Sequence, residues 1–224
     1  MAKYVMALDS GTTSNRCILF NETGNIIAMA QKEFTQYFPE SGWVEHDAME
    51  IWSTQIGVAQ EALLKIDASY ENIDAIGITN QRETVVVWDK VTNETIYPAI
   101  VWQDRRTARY ADEMTELHGS IIREKTGLMI DAYFSATKIK WIIDNVPGVK
   151  DKVKAGKILA GTLDSWVIWK MTHGRVHVTD HSTASRTMLM NIHTGKWDQD
   201  ILDIFEIDKK ILPEICNSSQ IYGY

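Results

Sequence analysis

Residues 4–20 read YVMALDSGTTSNRCILF, and this stretch decides the expected fold. Two apolar runs of strand length flank a turn rich in Asp, Ser, Gly and Thr, which is typical of a hairpin. A second polar turn at residues 21–25 leads to a third apolar run over residues 26–30. The sequence therefore predicts three antiparallel strands joined by two short turns.

A long helix is predicted to follow these strands. Asp47 is a suitable N-cap, and Glu50 stands three residues on, where a capping box would reach back. Apolar residues then recur at spacings of four and three, which indicates one buried face: Trp52, Ile56, Ala59, Leu63 and Ile66. An apolar run over residues 73–79 reads as a short buried strand, so the predicted order is βββαβ.

The remaining sequence alternates between hairpin, helix and strand signals. A hairpin is predicted over residues 84–102, and Asp104 is the expected cap of a helix that ends at Gly119. Ser135 is the expected cap of a helix that runs to Asn145. Further segments are predicted as helices at 121–126, 162–171 and 198–205 and as strands at 157–160, 175–178 and 186–191. With four prolines and no polar hinge, the composition favours a single compact unit.

The composition is that of an ordinary globular chain. Of its 224 residues, 45% are apolar and 24% are charged, and the formal net charge is −7. An acidic chain lacks the basic stripe of nucleic-acid-binding proteins, and no apolar run approaches the length that crosses a bilayer. Two cysteines are too few for a disulfide framework, and no signal peptide is visible. We therefore expect a cytoplasmic protein with neither nucleic-acid nor membrane partners.

The first hairpin loop carries groups that bind phosphate. Gly11 permits a tight turn and the close approach of a ligand. The amides and hydroxyls of Thr12, Thr13 and Ser14 can form a concave nest of donors, and Asp9 stands where it could hold Mg²⁺ directly or through water. Ordinary hairpin turns contain the same residue types, so a plain turn remains the alternative.

Polar residues also follow the predicted strand at 73–79, and ligands of α/β proteins bind beyond the carboxyl ends of strands. Arg82 donates hydrogen bonds and Glu83 accepts them, so the two could fix two hydroxyl groups of one small polyol. The indole of Trp102 could cover the carbon face of that polyol. The alternative for Arg82 and Glu83 is an ion pair on the surface. The alternative for Trp102 is ordinary packing in the core.

Longer motifs carry a resemblance to a known family. The loop DSGTTSNR (residues 9–16) is similar to the phosphate-loop start of the FGGY family of carbohydrate kinases, and YFSATKIKWIIDN (residues 133–145) fits a signature of that family. Within the family, shorter motifs resemble the branch that phosphorylates glycerol: residues 81–83, 101–104, 130–135 and 177–188.

The resemblance implies an α/β fold of the actin-like ATPase superfamily, a ribonuclease H-like domain with a mixed sheet in βββαβα order and with helical and β insertions. It implies transfer of a phosphoryl group from ATP, with Mg²⁺, to the 3-hydroxyl of glycerol. The implied roles are hydrogen bonds to glycerol from Arg82, Glu83 and Tyr133, packing on its carbons by Trp102, contacts to nucleotide phosphates from Thr12, Thr13, Ser14 and Arg16, and metal binding by Asp9. We expect Lys138 on a helix surface and Trp141 in the core.

The same resemblance puts the catalytic base beyond Tyr224. In the family this base is the Asp of a Gly-Asp-Gln segment, and the sequence contains no such segment. The glycine-rich segments that hold adenine in the second domain are missing as well. We therefore expect residues 1–224 to be the N-terminal, glycerol-binding domain of a longer kinase, incomplete at its C-terminal end and inactive alone.

Two other functions stay open. Another sugar kinase of the family, such as one acting on xylulose, would share the fold but surround Arg82, Glu83 and Trp102 differently. A non-catalytic binding module would keep the phosphate loop and would depend on no downstream segment. The full-length protein is also a candidate homo-oligomer.

Overall fold

Contacts divide the part of the chain that the computed structural model describes, residues 3–224, into two units. The first unit runs to Gln36 and resumes over His46–Gln81, and the second consists of Tyr37–Glu45 and Arg82–Tyr224. The assignment of residues 1–224 to one domain stays a prediction. The chain crosses between the units at residues 36–37, 45–46 and 81–82.

The first unit is built on a four-stranded mixed sheet. Its elements and the short strand at the unit boundary are β1 (Tyr4–Ser10), β2 (Ser14–Phe20), β3 (Ile26–Glu33), β4 (Glu45–His46), α1 (Ala48–Leu64) and β5 (Ile73–Asn80). β1 pairs with β2 and β2 with β3, both antiparallel, as predicted. β5 returns parallel to β1, which gives the order β3-β2-β1-β5 and confirms the predicted βββαβ arrangement.

Helix α1 begins where predicted but without the predicted capping box. Asp47 is the N-cap, and its carboxylate accepts a hydrogen bond from the N–H of Met49. The Glu50 carboxylate instead accepts two hydrogen bonds from Thr35, one from its N–H and one from its hydroxyl. Asp47 also accepts the Glu50 N–H at 3.2 Å, so only the return bond to the Glu50 carboxylate is wrongly predicted, because the chain leaving β3 supplies competing donors.

The buried face of α1 also differs from the predicted apolar stripe. Of the five predicted residues only Ala59 is buried. The buried residues are Ala48, Ile51, Thr54, Gln55, Val58, Ala59 and Ala62. Gln55 belongs to this face because its amide bonds to the Ser10 hydroxyl and to the Arg16 carbonyl in the sheet. A pattern of apolar residues does not predict the burial of a polar side chain whose hydrogen bonds are all made inside the core.

Strand β5 is exposed, although its apolar sequence predicts a buried strand. It forms one edge of its sheet among residues 3–224, and most of its residues are exposed. Ile76, for example, is 44% exposed. Within residues 3–224 the prediction is wrong, because an apolar run reports hydropathy and not the position of a strand within its sheet.

The second unit packs helices around a short sheet of order β4-β7-β6-β8. Its elements are β6 (Val85–Asp89), β7 (Ala99–Ile100), α2 (Ala108–Thr126), α3 (Ser135–Asn145), α4 (Val149–Lys154), β8 (Ile158–Thr162), α5 (Leu163–Met171), β9 (Val178–Asp180), α6 (His181–Ala184), β10 (Met190–Asn191), β11 (Lys196–Trp197), α7 (Gln199–Ile204) and β12 (Glu214–Cys216). β6 and β8 are buried along their whole length and pair antiparallel. Apolar residues of α2, α3 and α7 pack with them in one core.

Two predictions about α2 are wrong. The helix passes through Gly119 without a break and ends at Gly127, whose φ is +73°. An interior glycine costs about 1 kcal/mol, which nineteen residues of helix outweigh. Asp104 does not cap the helix, because its carboxylate is held by Arg106 and by the N–H of Val44.

Of the other predicted segments of the second unit, the strand at 157–160 and the helices at 162–171 and 198–205 are confirmed, whereas the predicted strand at 175–178 overlaps β9 only at Val178. The hairpin over residues 84–102 forms, and β8, α5 and α7 stand close to their predicted bounds. Ser135 is the first residue of α3, whereas Phe134 occupies the N-cap position. Of the predicted strand at 186–191, only the last two residues are extended. Within residues 3–224, no helix combines the length and apolar character needed to cross a membrane.

Candidate functional site

The loop between β1 and β2 is closed by a short backbone hydrogen bond. The N–H of Gly11 donates to the carbonyl oxygen of Ser14 at 3.0 Å. A Cβ on Gly11 would lie 3.0 Å from that same oxygen. A side chain at position 11 would therefore press against the backbone atom that closes the turn, which explains the glycine.

Three successive carbonyl groups of the loop accept hydrogen bonds from other segments of the first unit. The Gly11 carbonyl accepts from Gln81 Nε2 at 3.2 Å, that of Thr12 from Gln36 Nε2 at 3.1 Å, and that of Thr13 from the Phe34 N–H at 3.3 Å. The peptide bonds of the described residues are trans, so the N–H that follows each carbonyl points the opposite way. Each of these N–H groups therefore points away from the donor that holds the carbonyl before it, which is the orientation that a phosphate-binding nest needs.

A buried histidine links two of these supports. His46 Nε2 donates to Gln36 Oε1 at 2.7 Å, and Gln81 Nε2 donates to His46 Nδ1 at 3.3 Å. Only the neutral ring with its proton on Nε2 can make both bonds. Burial lowers the pKa of His46 to about 4, so the ring is in this form at neutral pH.

The polar side chains predicted for phosphate and metal lie at one end of the β1–β2 hairpin. Asp9 and Arg16 are directly opposite each other on the two strands and therefore share a face of the sheet. Arg16 Nε donates to Gln31 Oε1 at 3.1 Å, and Gln31 Nε2 donates to the Ser14 hydroxyl at 2.9 Å. Thr13 is exposed, and the residues that are partly exposed are Asp9, Thr12, Ser14 and Arg16.

In the second unit, Glu83 precedes β6 and has a buried carboxylate. Its Oε1 accepts from Arg186 Nε at 2.8 Å, and its backbone carbonyl accepts from the Ser135 hydroxyl at 3.2 Å. No donor within residues 3–224 bonds to Oε2, and that oxygen is not sealed from solvent. A surface ion pair with Arg82 is thus replaced by a buried pair with Arg186.

Two aromatic side chains contact each other, and one of them lies near Arg186, the ion-pair partner of this carboxylate. The rings of Trp102 and Tyr133 have centroids 5.3 Å apart, and Tyr133 in turn lies edge-on to Phe134 at 5.2 Å. Asp131 fixes the start of this segment by accepting the Tyr133 N–H at 2.7 Å. The Arg186 guanidinium lies 5.8 Å from the Tyr133 ring centroid, so it joins the carboxylate to the aromatic pair. We call Glu83, Trp102 and Tyr133 the acceptor cluster.

Arg82 is the one predicted acceptor residue outside this cluster. Its side chain is exposed, and no hydrogen bond or ion pair joins it to another of the described residues. The structure therefore places Trp102 and Tyr133 in contact with each other and connects Glu83 to Tyr133 through Arg186, whereas Arg82 bonds to none of them.

Lys138 is fully buried, whereas the sequence predicts a place on the helix surface. Its Nζ donates to the backbone carbonyls of three successive residues, Ala132, Tyr133 and Phe134. Three carbonyls match the three N–H groups of an ammonium, although burial lowers the pKa of Lys138 to about 7. Trp141 is half-buried and packs edge-on against Trp43 and Tyr97.

Sequence reasoning missed the residues that hold both sites from behind. These are Gln36, His46 and Gln81 in the first unit and Lys138 and Arg186 in the second. Gln81, Lys138 and Arg186 stand inside recognised motifs, so their positions carried a usable signal. Gln36 and His46 stand in no motif, and only the folded chain shows what they bond to.

Comparison with known proteins matches residues 4–224 to the N-terminal domain of the FGGY family of carbohydrate kinases. The chain is 61% identical to glycerol kinase of Agathobacter rectalis over 224 residues, which is 100% of this chain and 45% of that relative. The crystal structure of Plasmodium falciparum glycerol kinase with ADP has a TM-score of 0.89 at 35% identity, covering 96% of this chain and 43% of the other. Gluconate kinase from Lactobacillus acidophilus has a TM-score of 0.90 at 23% identity, covering 100% and 44%, which shows the fold alone.

The chain thus spans less than half the length of these relatives. The structural neighbours confirm the predicted α/β fold, which is ribonuclease H-like and actin-like. Because the family model matches almost every residue from Tyr4 onward, the chain belongs to the FGGY family of carbohydrate kinases.

Proposed function

We propose that the whole protein transfers the γ-phosphoryl group of ATP to the 3-hydroxyl of glycerol in a Mg²⁺-dependent reaction. The acceptor cluster is the observation that carries this proposal. It combines a buried carboxylate with one unbonded oxygen and an indole packed on a phenol. A few convergent polar groups beside an apolar surface suit a small polyol. The 61% identity to a glycerol kinase supports glycerol as that polyol.

The first unit would bind the nucleotide phosphates. Thr12, Thr13, Ser14 and Arg16 offer peptide N–H groups, hydroxyls and a guanidinium, which are the donors that phosphate oxygens accept. The single carboxylate of Asp9 suits Mg²⁺, because this ion binds few carboxylates and completes its shell with phosphates and water. Within residues 3–224, no group of three His, Cys, Asp or Glu side chains is placed to hold a metal ion. When bound, Mg²⁺ would neutralise charge on the phosphates.

The second unit would bind and orient glycerol. Glu83 Oε2 accepts one hydroxyl, the Tyr133 hydroxyl and Arg82 hold others, and Trp102 covers the carbons. Orientation matters because phosphoryl transfer depends on positioning and electrostatic stabilisation. We assign the general base to a segment outside residues 1–224, because the sequence has no Gly-Asp-Gln segment. Since the reaction consumes ATP, the proposed location is the cytoplasm.

A substrate panel on the full-length protein tests the proposal. With ATP and Mg²⁺, glycerol should be phosphorylated at about 1–100 s⁻¹, the usual range for kinases. Xylulose and gluconate should react far more slowly, and chelation of Mg²⁺ with EDTA should abolish turnover. A preference for xylulose would identify another sugar kinase of the family. Calorimetry that detects neither ATP nor glycerol binding would favour a non-catalytic module.

A further inference from the structure

We propose that Arg186 is a positioning residue that fixes Glu83 and Tyr133 for the acceptor hydroxyls. The inference rests on the proposed function, because it assigns a task to a residue beside the acceptor cluster. Arg186 stands 103 positions from Glu83 along the chain, and the sequence gives it no role of its own.

The first observation is the ion pair between Arg186 and Glu83. Arg186 Nε lies 2.8 Å from Glu83 Oε1, and the two side chains are only 28% and 5% exposed. A carboxylate buried without a counter-charge is costly, and Arg186 supplies that counter-charge to Glu83. The pair engages only Oε1, and the remaining oxygen is thereby aimed and left for a hydroxyl group.

The second observation is that the same guanidinium covers the neighbouring aromatic rings. Its central carbon lies 5.0 Å from the Phe134 ring centroid and 5.8 Å from that of Tyr133. A guanidinium at such a distance is attracted to the electron-rich face of an aromatic ring. One side chain therefore restrains both the carboxylate and the phenol of the acceptor cluster.

The third observation is that the backbone around Arg186 is anchored independently of its side chain. The Thr187 carbonyl accepts the N–H of Ala136 at 2.9 Å, and the Arg186 N–H bonds to Thr183 at 2.9 Å. Loss of the guanidinium should leave this segment docked on the start of α3. The expected defect is consequently local, in the aim of Glu83 and Tyr133.

Steady-state kinetics of the full-length protein test this role. In Arg186→Gln, kcat/KM for glycerol should fall about 10- to 100-fold, while KM for ATP stays within about twofold of the wild-type value. Arg186→Lys should recover part of the loss, because it keeps the charge but not the Nε donor or the flat contact with Phe134. Arg109→Gln is the matched control: Arg109 is 92% exposed, and its loss should change neither constant.

A double-mutant cycle separates positioning from a general structural effect. If Arg186 acts through Glu83, then adding Arg186→Gln to the Glu83→Gln variant should lower kcat/KM for glycerol only slightly further. Additive losses would overturn the proposal, and so would wild-type glycerol kinetics in Arg186→Gln or an equal rise in KM for ATP. If Arg186→Gln does not unfold cooperatively and is therefore not properly folded, the same double-mutant cycle is measured with Arg186→Lys, and its result decides whether the proposal holds.

The two proposals fail in different ways. A wild-type protein that does not phosphorylate glycerol overturns the proposed function and this inference with it. An active wild type with an indifferent Arg186→Gln variant overturns the inference alone.

Discussion

Gly11 is the residue at which backbone geometry bears most directly on the proposed phosphate site. We expect Gly11→Ala to push the Ser14 carbonyl away and to lengthen the bond that closes the turn, since the new Cβ would lie 3.0 Å from that oxygen. KM for ATP should rise about fivefold, which corresponds to about 1 kcal/mol for one weakened hydrogen bond, and KM for glycerol should not change. Initial-rate measurements with each substrate varied in turn check this.

Gly57→Ala provides the control for that substitution. Gly57 lies in α1, and a Cβ there would meet no atom within 4 Å. This variant should keep both KM values and gain up to about 1 kcal/mol from its higher helix propensity. If Gly11→Ala binds ATP as well as Gly57→Ala does, the loop is a plain hairpin turn.

His46 gives the protein a defined dependence on pH. Its pKa is about 4 in the folded protein and about 6.5 in an unfolded chain, so the unfolded state binds more protons between these values. The free energy of unfolding should therefore fall as the pH drops from about 6.5 to about 4, by at most about 3 kcal/mol from this residue. It should be unaffected by His46 above pH 7.

Urea unfolding at several pH values, compared between wild type and His46→Gln, isolates this contribution. His177 also has its pKa lowered by burial to about 4, but it is common to both proteins and cancels in the comparison. The variant should lose less stability between pH 6.5 and 4.5 than the wild type. Parallel pH curves would show that His46 is not the group responsible.

At the scale of elements, Arg106 attaches residues 37–45 to the rest of the second unit. Its side chain is fully buried, with ion pairs of 2.7 Å to Glu45 and 2.8 Å to Asp104. The guanidinium carbon also stacks 3.7 Å from the Trp43 ring centroid. Desolvation opposes the charged form, yet the carboxylates win and raise the pKa of Arg106.

We expect Arg106→Leu to destabilise the protein by about 3–5 kcal/mol, because it leaves two buried carboxylates without a counter-charge. Arg105→Leu is the matched control, since its pair with Asp131 is about half exposed on both sides and should contribute less than about 1 kcal/mol. Denaturant unfolding measures both. Equal effects would mean that the buried pairs stabilise no more than a surface pair does.

The elements themselves could largely be predicted from the sequence, whereas their surroundings could not. Turn residues and apolar runs were enough for the β1–β3 meander, α3 and α5. The prediction that a helix ends at Gly119 is wrong because a long helix tolerates an interior glycine that costs about 1 kcal/mol. The burial of β5 could not be predicted because it depends on which strands pair beside it. A short stretch of sequence does not carry that information.

The candidate site divides in the same way. Chemistry and motif predict Glu83 and Tyr133 as residues that face a ligand, and this assignment stays a prediction. Their supports could not be predicted, because Lys138 and Arg186 act through contacts that exist only after folding. Lys138 shows the limit most clearly, since a lysine in a helix is ordinarily a surface residue and this one bonds to three backbone carbonyls.

At the scale of the whole molecule, residues 1–224 should be a poor catalyst when produced alone. The sequence lacks a Gly-Asp-Gln segment and covers 45% of the length of a glycerol kinase relative. Loss of a general base alone removes about 10²–10⁴ in rate, so kcat with ATP and glycerol should be at least 100-fold below that of the full-length protein by that estimate. The comparison requires a preparation of residues 1–224 that unfolds cooperatively, and equal rates would contradict the assignment of the base.

The exposed edge at β5 has a practical consequence. Within residues 3–224 this strand has one neighbour, β1, so the backbone groups on its other side have no ladder to join. An uncovered row of amides and carbonyls on an apolar strand is a template for strands of other molecules. Concentrated solutions of residues 1–224 would therefore tend to aggregate through this edge. Ile76→Lys should reduce this aggregation, because a charge on an edge strand opposes pairing with another strand.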